Sequence, residues 1–303
     1  MDPAWIWIPA TLFAAAAQAG RNAVQRSLTE RLGTLGATQV RFLYGFPFAL
    51  LFLGAAIALT GQLPPMPNLP FMLHVMGGAL CQIAATALML AAMRQRAFVV
   101  VTAWTKTEPI QVALFAFVVL GDPLSVGALL AIVLATVGVV LLSVKPGTPL
   151  LADGGLRPVL LGVVSGAFFA LSAVGFRGAM LASGDAPFLI LASWTLAWSL
   201  FLQAAVLLGW MVMFDRTLLR NCVAAWRVSI WGGLLGAAAS QGWFIGFSLT
   251  AAANVRTLGL VEVLFAQWLS GKVFAQASSV RDRIGISLIV AGAAALIWLM
   301  PPG

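Results

Sequence analysis

Long apolar runs alternate with short polar punctuation along the whole chain. A helix that crosses a bilayer needs about 20 apolar residues. Ten segments meet that requirement: 5–27, 35–59, 70–93, 98–120, 125–144, 158–182, 187–214, 229–250, 254–275 and 284–300. The residues between them are of the kinds that end helices. Residues 61–70 are rich in proline, Gly121-Asp122-Pro123 is a tight turn, and 145–157 is the longest stretch with glycine and proline. The pattern predicts an all-α integral membrane protein with ten transmembrane helices.

The longest interruption falls at the midpoint, and the two sides of it correspond. At an offset of 154, Glu108 matches Glu262, Ser125 matches Ser279, Gly138 matches Gly292, Gly78 matches Gly232, and Thr86 matches Ser240. At an offset of 151, Arg26 matches Arg177 and Gly33 matches Gly184. The drift is absorbed between the second and third spans of each half. The expected organisation is a first five-helix repeat at 1–144, a linker at 145–157, and a second repeat at 158–303. Five is odd, so the second repeat is expected to be inverted, with a central cavity and a substrate site near the midplane.

Composition sharpens the class. The chain is 61% hydrophobic and 9% charged, with a mean hydropathy of +1.01, where a soluble domain has about 25% charged residues. The net charge of +8 would otherwise suggest a nucleic-acid partner. The basic residues fall at span ends and loops, so membrane topology explains them and no nucleic acid is expected. Thirteen of them (Arg21, Arg26, Arg31, Arg94, Arg96, Lys145, Arg157, Arg216, Arg220, Arg227, Lys272, Arg281 and Arg283) fall on one side, against Arg177 and Arg256 on the other. That asymmetry predicts cytoplasmic 1–2, 3–4, 5–6, 7–8 and 9–10 loops, with both termini outside. The start of the chain mimics a signal peptide, with Ala17-Gln18-Ala19 as a cleavage-like site. It lacks a basic n-region, so residues 5–27 are expected to stay as a span. Cys81 and Cys222 have no metal-like or redox spacing, and neither a metal nor a cofactor is expected.

The chemistry is concentrated in the few deep polar residues. Of nine acidic residues, only Glu108 and Glu262 lie mid-span, and they are repeat partners. Lys106 and Arg41 are the basic residues expected at similar depth. A charge at the bilayer centre costs about 2.5–3.5 kcal/mol on insertion scales, so each needs a partner or a wet cavity. Lys106 and Glu108 are two apart and point to opposite helix faces. Each should therefore pair with another helix, and Arg41 with Glu108 or Lys106 with Glu262 are the available pairs. Such pairs serve either as struts of the bundle or as a substrate or coupling site. Pro109 is expected to bend its helix. Val263 stands at the matching position, which argues against a symmetric second break. Gln18 and Asn22 in the first span, Gln82 and Thr86 in the third, and Ser240, Gln241 and Trp243 in the eighth mark helices that can line an interior, as do Trp194, Ser199 and Gln203 in the seventh and Asn254, Gln267 and Trp268 in the ninth. The fifth and tenth spans are nearly free of polar residues and are expected at the periphery. Trp104, Trp194 and Trp243 lie deep enough to stack on a substrate. The candidate substrate-binding set is Asn22, Gln82, Trp104, Lys106, Glu108, Trp194, Gln241, Trp243 and Glu262.

Two motifs carry a family resemblance. Thr107-Glu-Pro-Ile-Gln-Val-Ala-Leu-Phe115 in the fourth span, and Leu120-Gly-Asp-Pro-Leu-Ser125 leading to Gly138, resemble the drug/metabolite transporter superfamily of the bacterial EamA type. Glu108-Pro109 and Gly121-Asp122 match that family's marks. Glu262-Val263 lacks the proline and Ala275-Gln276 lacks the acid. The resemblance implies a single-chain, inverted-repeat exporter in the bacterial inner membrane, monomeric and lipid-embedded, with a cavity lined by helices one to four and six to nine. It implies small metabolites as substrates, and aromatic or other hydrophobic amino acids as the specific expectation. A multidrug or nucleoside exporter of the same fold is the alternative, and a non-transporting scaffold or receptor is the alternative from another class. On the leading reading Glu108 and Glu262 meet a substrate ammonium, Lys106 meets its carboxylate and the deep tryptophans meet its side chain. Scattered loop carboxylates and a single histidine supply no catalytic constellation, so no enzyme is expected. No G-x-x-x-x-G-K-[ST] loop is present to bind ATP.

Overall fold

Backbone polar groups in lipid must be satisfied within the chain, which leaves helices as the default for such apolar runs. The computed structural model describes residues 5–93, 104–144, 157–269 and 279–299, and among them the chain is helical with no strand. The linker at 145–156, the start of the fourth span (98–103), Arg94, Arg96, Lys145, Lys272 and Ala275-Gln276 lie outside the described residues.

The described helices are α1 (Trp7–Thr60), α2 (Leu69–Met93), α3 (Glu108–Leu120), α4 (Val126–Ser143), α5 (Arg157–Ala182) and α6 (Phe188–Phe214). After them come α7 (Arg216–Ala224), α8 (Trp226–Leu249), α9 (Ala252–Leu258), a 3₁₀ turn (Gly259–Val261), α10 (Glu262–Leu269) and α11 (Val280–Trp298). The loop expected between the first two spans is a single residue. Gly33, at φ 67° and ψ −179°, breaks α1, and helix continues on both sides of it. Only glycine adopts that backbone at low cost. Gly61 and Gly121 end α1 and α3 in the left-handed conformation. Asn68 joins two helix ends: its Oδ1 accepts from Phe71 N at 2.7 Å, and its Nδ2 donates to the Ala182 carbonyl at 2.6 Å.

Among the described residues, five helices are long and apolar enough to cross a membrane: Leu28–Thr60, Leu69–Met89, Val126–Ser143, Val159–Ala182 and Phe188–Phe214. A sixth results if α7 and α8, bent by 86° at their junction, count as one span. Of the other spans expected from hydropathy, the ninth is interrupted at α9–α10 and α3, of the fourth, has 13 residues. The chain is a multi-pass membrane protein.

Two compact units make up the chain. The first joins Met1–Leu80 with Gly175–Thr250, and the second joins Cys81–Val174 with Ala251–Gly303. Each therefore draws on both halves of the sequence. Inside the first unit, α1 lies along α8 because α8 presents glycines. A Cβ on Gly233 would fall 2.5 Å from the Tyr44 backbone, and one on Gly242 would fall 2.7 Å from the Ala10 carbonyl. Small residues let helix backbones approach this closely, the usual basis of helix association in lipid. Leu28, Leu32, Ala37, Val40, Met211 and Cys222 form an apolar cluster in the same unit. Arg177 donates to the Phe247 and Thr250 carbonyls at 2.8 and 2.6 Å, closing the C-terminus of α8 with a cation.

Inside the second unit, α4 and α11 meet through the matched glycines. A Cβ on Gly138 would lie 2.7 Å from the Gly285 carbonyl, and one on Gly292 would lie 2.7 Å from the Ala131 carbonyl. Other matched residues also share local roles. Ser125 and Ser279 are both N-caps, accepting from Ala128 N and Asp282 N. Gly33 and Gly184 both have positive φ, at 67° and 77°. Glu108 and Glu262 each begin a helix.

Candidate functional site

Residues 104–115 lie in the second unit, and a turn at Lys106 and Thr107 interrupts their helix. Trp104 and Thr105 are helical, Lys106 and Thr107 form a turn, and α3 starts at Glu108 with Pro109 second. Proline suits that position, since its missing N–H would have no intrahelical partner there. Thr107 donates its hydroxyl to the Trp104 carbonyl at 2.7 Å. The neighbouring α5 fixes the turn from outside: the Gly162 carbonyl accepts from Thr105 Oγ1 at 3.4 Å, and the Val163 carbonyl from Gln111 Nε2 at 3.3 Å. Gly166 makes room, since a Cβ there would lie 3.2 Å from the Thr105 carbonyl.

A second break stands at the matching place, which the missing proline had argued against. Helix α9 stops at Leu258, Gly259–Val261 is a 3₁₀ turn, and α10 begins at Glu262. Gly259 and the β-branched Val261 are weak helix formers. Tertiary packing holds the turn: Leu260 is buried with Ala135, Val139, Leu142 and Ile289, and Val261 packs against the same cluster. Proline is one way to interrupt a helix, and packing of a weak segment is another.

Both breaks place a carboxylate on the first residue of a helix, where exposed N–H groups and the dipole favour negative charge. Each carboxylate is then neutralised by a base from the opposite half of the sequence. Lys106 Nζ lies 3.2 Å from Glu262 Oε2, with side chains 23% and 9% exposed. Arg256 Nε lies 3.1 Å from Glu108 Oε1, with side chains 14% and 13% exposed. Glu108 lies close enough to Arg256, Lys106 and Glu262 to feel all three electrostatically.

Of the two expected pairs, Lys106 with Glu262 is present. Glu108 is paired with Arg256, and Arg41 belongs to the first unit. Hydropathy places Arg256 at a span end on the outer side, whereas it sits in the last turn of α9, one break away from Glu262. Arg177 is likewise within a helix, α5, and Arg21 lies mid-helix in α1, only 8% exposed. A repeat match could not reveal Arg256, whose counterpart at the offset of 154 is Thr102. Its position six residues before Glu262, one break away, was the available signal.

Trp104 keeps its indole nitrogen buried beside this turn, and Gln82, also of the second unit, is half-buried. The other sequence candidates belong to the first unit. Gln241 donates to Ser193 Oγ at 2.9 Å, and Trp243, 5% exposed, donates to Gln18 Oε1 at 3.1 Å. Both bonds are interhelical and fix the packing of α8 against α6 and α1. Trp194 stacks on Phe71 with ring centroids 6.5 Å apart, and meets Trp198 edge-on at 5.7 Å. Asn22 is exposed and accepts from Arg21 Nη2 at 2.7 Å. Among the described residues, no group of three or more His, Cys, Asp or Glu is placed to hold a metal.

Comparison with known proteins gives one sequence family. Residues 5–144 match the EamA-like transporter family. No curated protein matches the chain. One similar solved structure, a crystal structure titled only as that of a protein, has 18% identity and a TM-score of 0.69, covering 99% of each chain. At that identity the likeness establishes the fold alone.

Proposed function

We propose, from the match of residues 5–144 to the EamA-like transporter family, that this chain is a secondary transporter that exports amino acids, aromatic or otherwise hydrophobic, by alternating access. The observation that carries the proposal is the pair of broken helices in the second unit, each starting with a glutamate, and the crossed ion pairs Lys106–Glu262 and Arg256–Glu108. Breaks and buried charges are costly in lipid and belong where a solute or ion is handled.

A zwitterion suits such a site. Its ammonium can take the place of a lysine or arginine on one carboxylate, while its carboxylate takes the base released. The exchange leaves the buried charge unchanged, whereas a purely cationic or anionic solute would add a charge to a low-dielectric region. Lys106, Glu108, Glu262 and Arg256 are the residues we assign to this exchange, with Trp104 as an adjacent aromatic wall. Asn22, Gln82, Trp194, Gln241 and Trp243 remain candidates, and their interhelical bonds give Gln241 and Trp243 a packing role as well. The shared local roles of Gly33 and Gly184, Ser125 and Ser279, and Gly138 and Gly292 support a duplication with five-helix halves at 1–144 and 158–303. The basic-residue asymmetry supports an orientation with both termini outside, and the proposal takes the chain as a monomer in a bacterial inner membrane.

A competition screen in proteoliposomes tests the reading. Export of a preloaded, labelled aromatic amino acid is expected to saturate and to be competed by other hydrophobic amino acids. Competition by nucleosides or cationic dyes instead would assign the multidrug or nucleoside alternative. The absence of flux for every compound would leave a scaffold or receptor.

A further inference from the structure

The corner that joins α6 to α8 in the first unit is basic on one face and apolar on another. Residues 215–227 hold three arginines against one aspartate. The aspartate is used locally, since Asp215 Oδ1 accepts from Leu218 N at 2.9 Å as the N-cap of α7. The rotation of α7 is fixed from its apolar side. Leu218, Leu219 and Ala225 pack on the cluster that contains the fully buried Cys222, and Tyr44 Oη donates to the Cys222 carbonyl at 3.4 Å. Arg216 and Arg220, four residues apart, share another face about 6 Å apart along the axis, and both are exposed. Arg216 Nε donates to the Val212 carbonyl at 2.9 Å, which ties that side chain to the end of α6. Arg227, exposed in the first turn of α8, holds its guanidinium 5.7 Å from the centre of the Trp226 ring.

Aromatic residues mark the depth of this corner. α7 is bent by 86° from α8, so with α8 across the bilayer α7 lies along its surface. The exposed Trp210 and Phe214 flank α7 at the end of α6, and the exposed Trp226 and Trp231 flank it at the start of α8. Tryptophans in such positions sit at the boundary between acyl chains and headgroups. A short helix with leucines on one face and arginines on another belongs at the same level. The anionic group found there is the phosphate of a phospholipid, and a guanidinium fork matches its oxygens in bidentate fashion.

We propose that Arg216, Arg220 and Arg227, beside Trp226, form a docking surface for the phosphate headgroup of an anionic phospholipid. Trp226 and Trp231 offer the apolar surface that its acyl chains need. The proposal concerns the first unit alone and requires only that the chain span a membrane, so it stands or falls separately from the crossed pairs and from the solute.

The test titrates the purified, delipidated full chain in non-ionic detergent with dioctanoyl phosphatidylglycerol, dioctanoyl phosphatidylcholine or glycerol phosphate, and follows the melting midpoint. A ligand that binds only the folded state raises the midpoint by mass action. Phosphatidylglycerol is expected to raise it at concentrations at which the other two leave it unchanged. Each arginine near an anionic headgroup contributes about 5-fold in affinity. Arg220→Gln/Arg227→Gln should therefore need about 25-fold more lipid for the same shift, and Arg216→Gln added to them about 100-fold more. Arg220→Lys/Arg227→Lys keeps the charge and should stay within about 5-fold of the wild type, with gel filtration and the lipid-free midpoint controlling for folding. Arg157→Gln/Arg283→Gln removes the same charge from exposed positions in the second unit and should respond as the wild type does. Equal shifts with phosphatidylcholine, an unchanged response in the double glutamine variant, or no shift in the wild type overturns the proposal. So does a lost response in the lysine variant, or the same loss in Arg157→Gln/Arg283→Gln. A shift with glycerol phosphate as large as that with the lipid overturns the lipid as occupant and leaves a site for a soluble phosphate.

Discussion

Replacing Glu262 by glutamine leaves the Lys106 ammonium without its partner in a region that excludes water. The two charges are 3.2 Å apart, and their side chains are 23% and 9% exposed. At an effective dielectric of 20 the direct attraction is about 5 kcal/mol, most of which offsets the cost of desolvating both groups. Removing one partner of a fully buried pair costs about 3–5 kcal/mol. Lys106 is nearly a quarter exposed, so about 2–3 kcal/mol is expected here for Glu262→Gln or Lys106→Met alone, discounted for screening. At roughly 2–4 °C per kcal/mol for a chain of this size, the melting midpoint in detergent should fall by about 4–12 °C. The double variant Lys106→Met/Glu262→Gln removes both charges and should be about 1–3 kcal/mol more stable than the sum of the single effects. Melting followed by intrinsic fluorescence, in all four forms, gives the coupling directly. Strict additivity would refute the pairing.

Other elements give independent expectations. Gly138→Val and Gly292→Val each drive a side chain into the facing backbone of the α4–α11 contact and should cost about 1–3 kcal/mol, read as a lower melting midpoint. Ser125→Ala and Ser279→Ala each remove an N-cap and should cost about 0.5–2 kcal/mol; an unchanged midpoint in both would contradict the shared capping role. Arg177→Met leaves the Phe247 and Thr250 carbonyls without their cationic donor and should cost about 1.5–3 kcal/mol, with faster proteolysis at 250–251 as a second readout.

The sequence and the structure agree where the physics is local. Apolar runs, proline-rich breaks and helix-ending glycines place most helices within a few residues, because lipid leaves the backbone few alternatives. Glu108 and Glu262 stand out in sequence because nearly every other acid lies at a span end, and the i, i+2 spacing correctly separates Lys106 from Glu108. The second break was not legible. Gly259 and Val261 weaken the helix only slightly, and Leu260 packing against Ile289 depends on a partner far along the chain. Arg21 and Arg256 were misplaced for a related reason. Hydropathy assigns charges to the ends of apolar runs, whereas both sit inside helices, Arg256 beside the carboxylate it neutralises and Arg21 in the middle of its segment. The single-residue break at Gly33 explains how an arginine expected near the end of the 5–27 span comes to lie in the middle of a helical segment.

The central claim is that the crossed pairs handle the solute rather than merely brace the bundle, and flux set against stability in Glu108→Gln and Glu262→Gln tests it most directly. Each purified variant is reconstituted, exchange of a labelled aromatic amino acid is measured, and the melting midpoint is taken on the same preparation. The account predicts that flux falls steeply in both variants, even at temperatures well below their midpoints where the fold is intact. Full flux accompanied only by lower melting midpoints would contradict it and make the two glutamates struts.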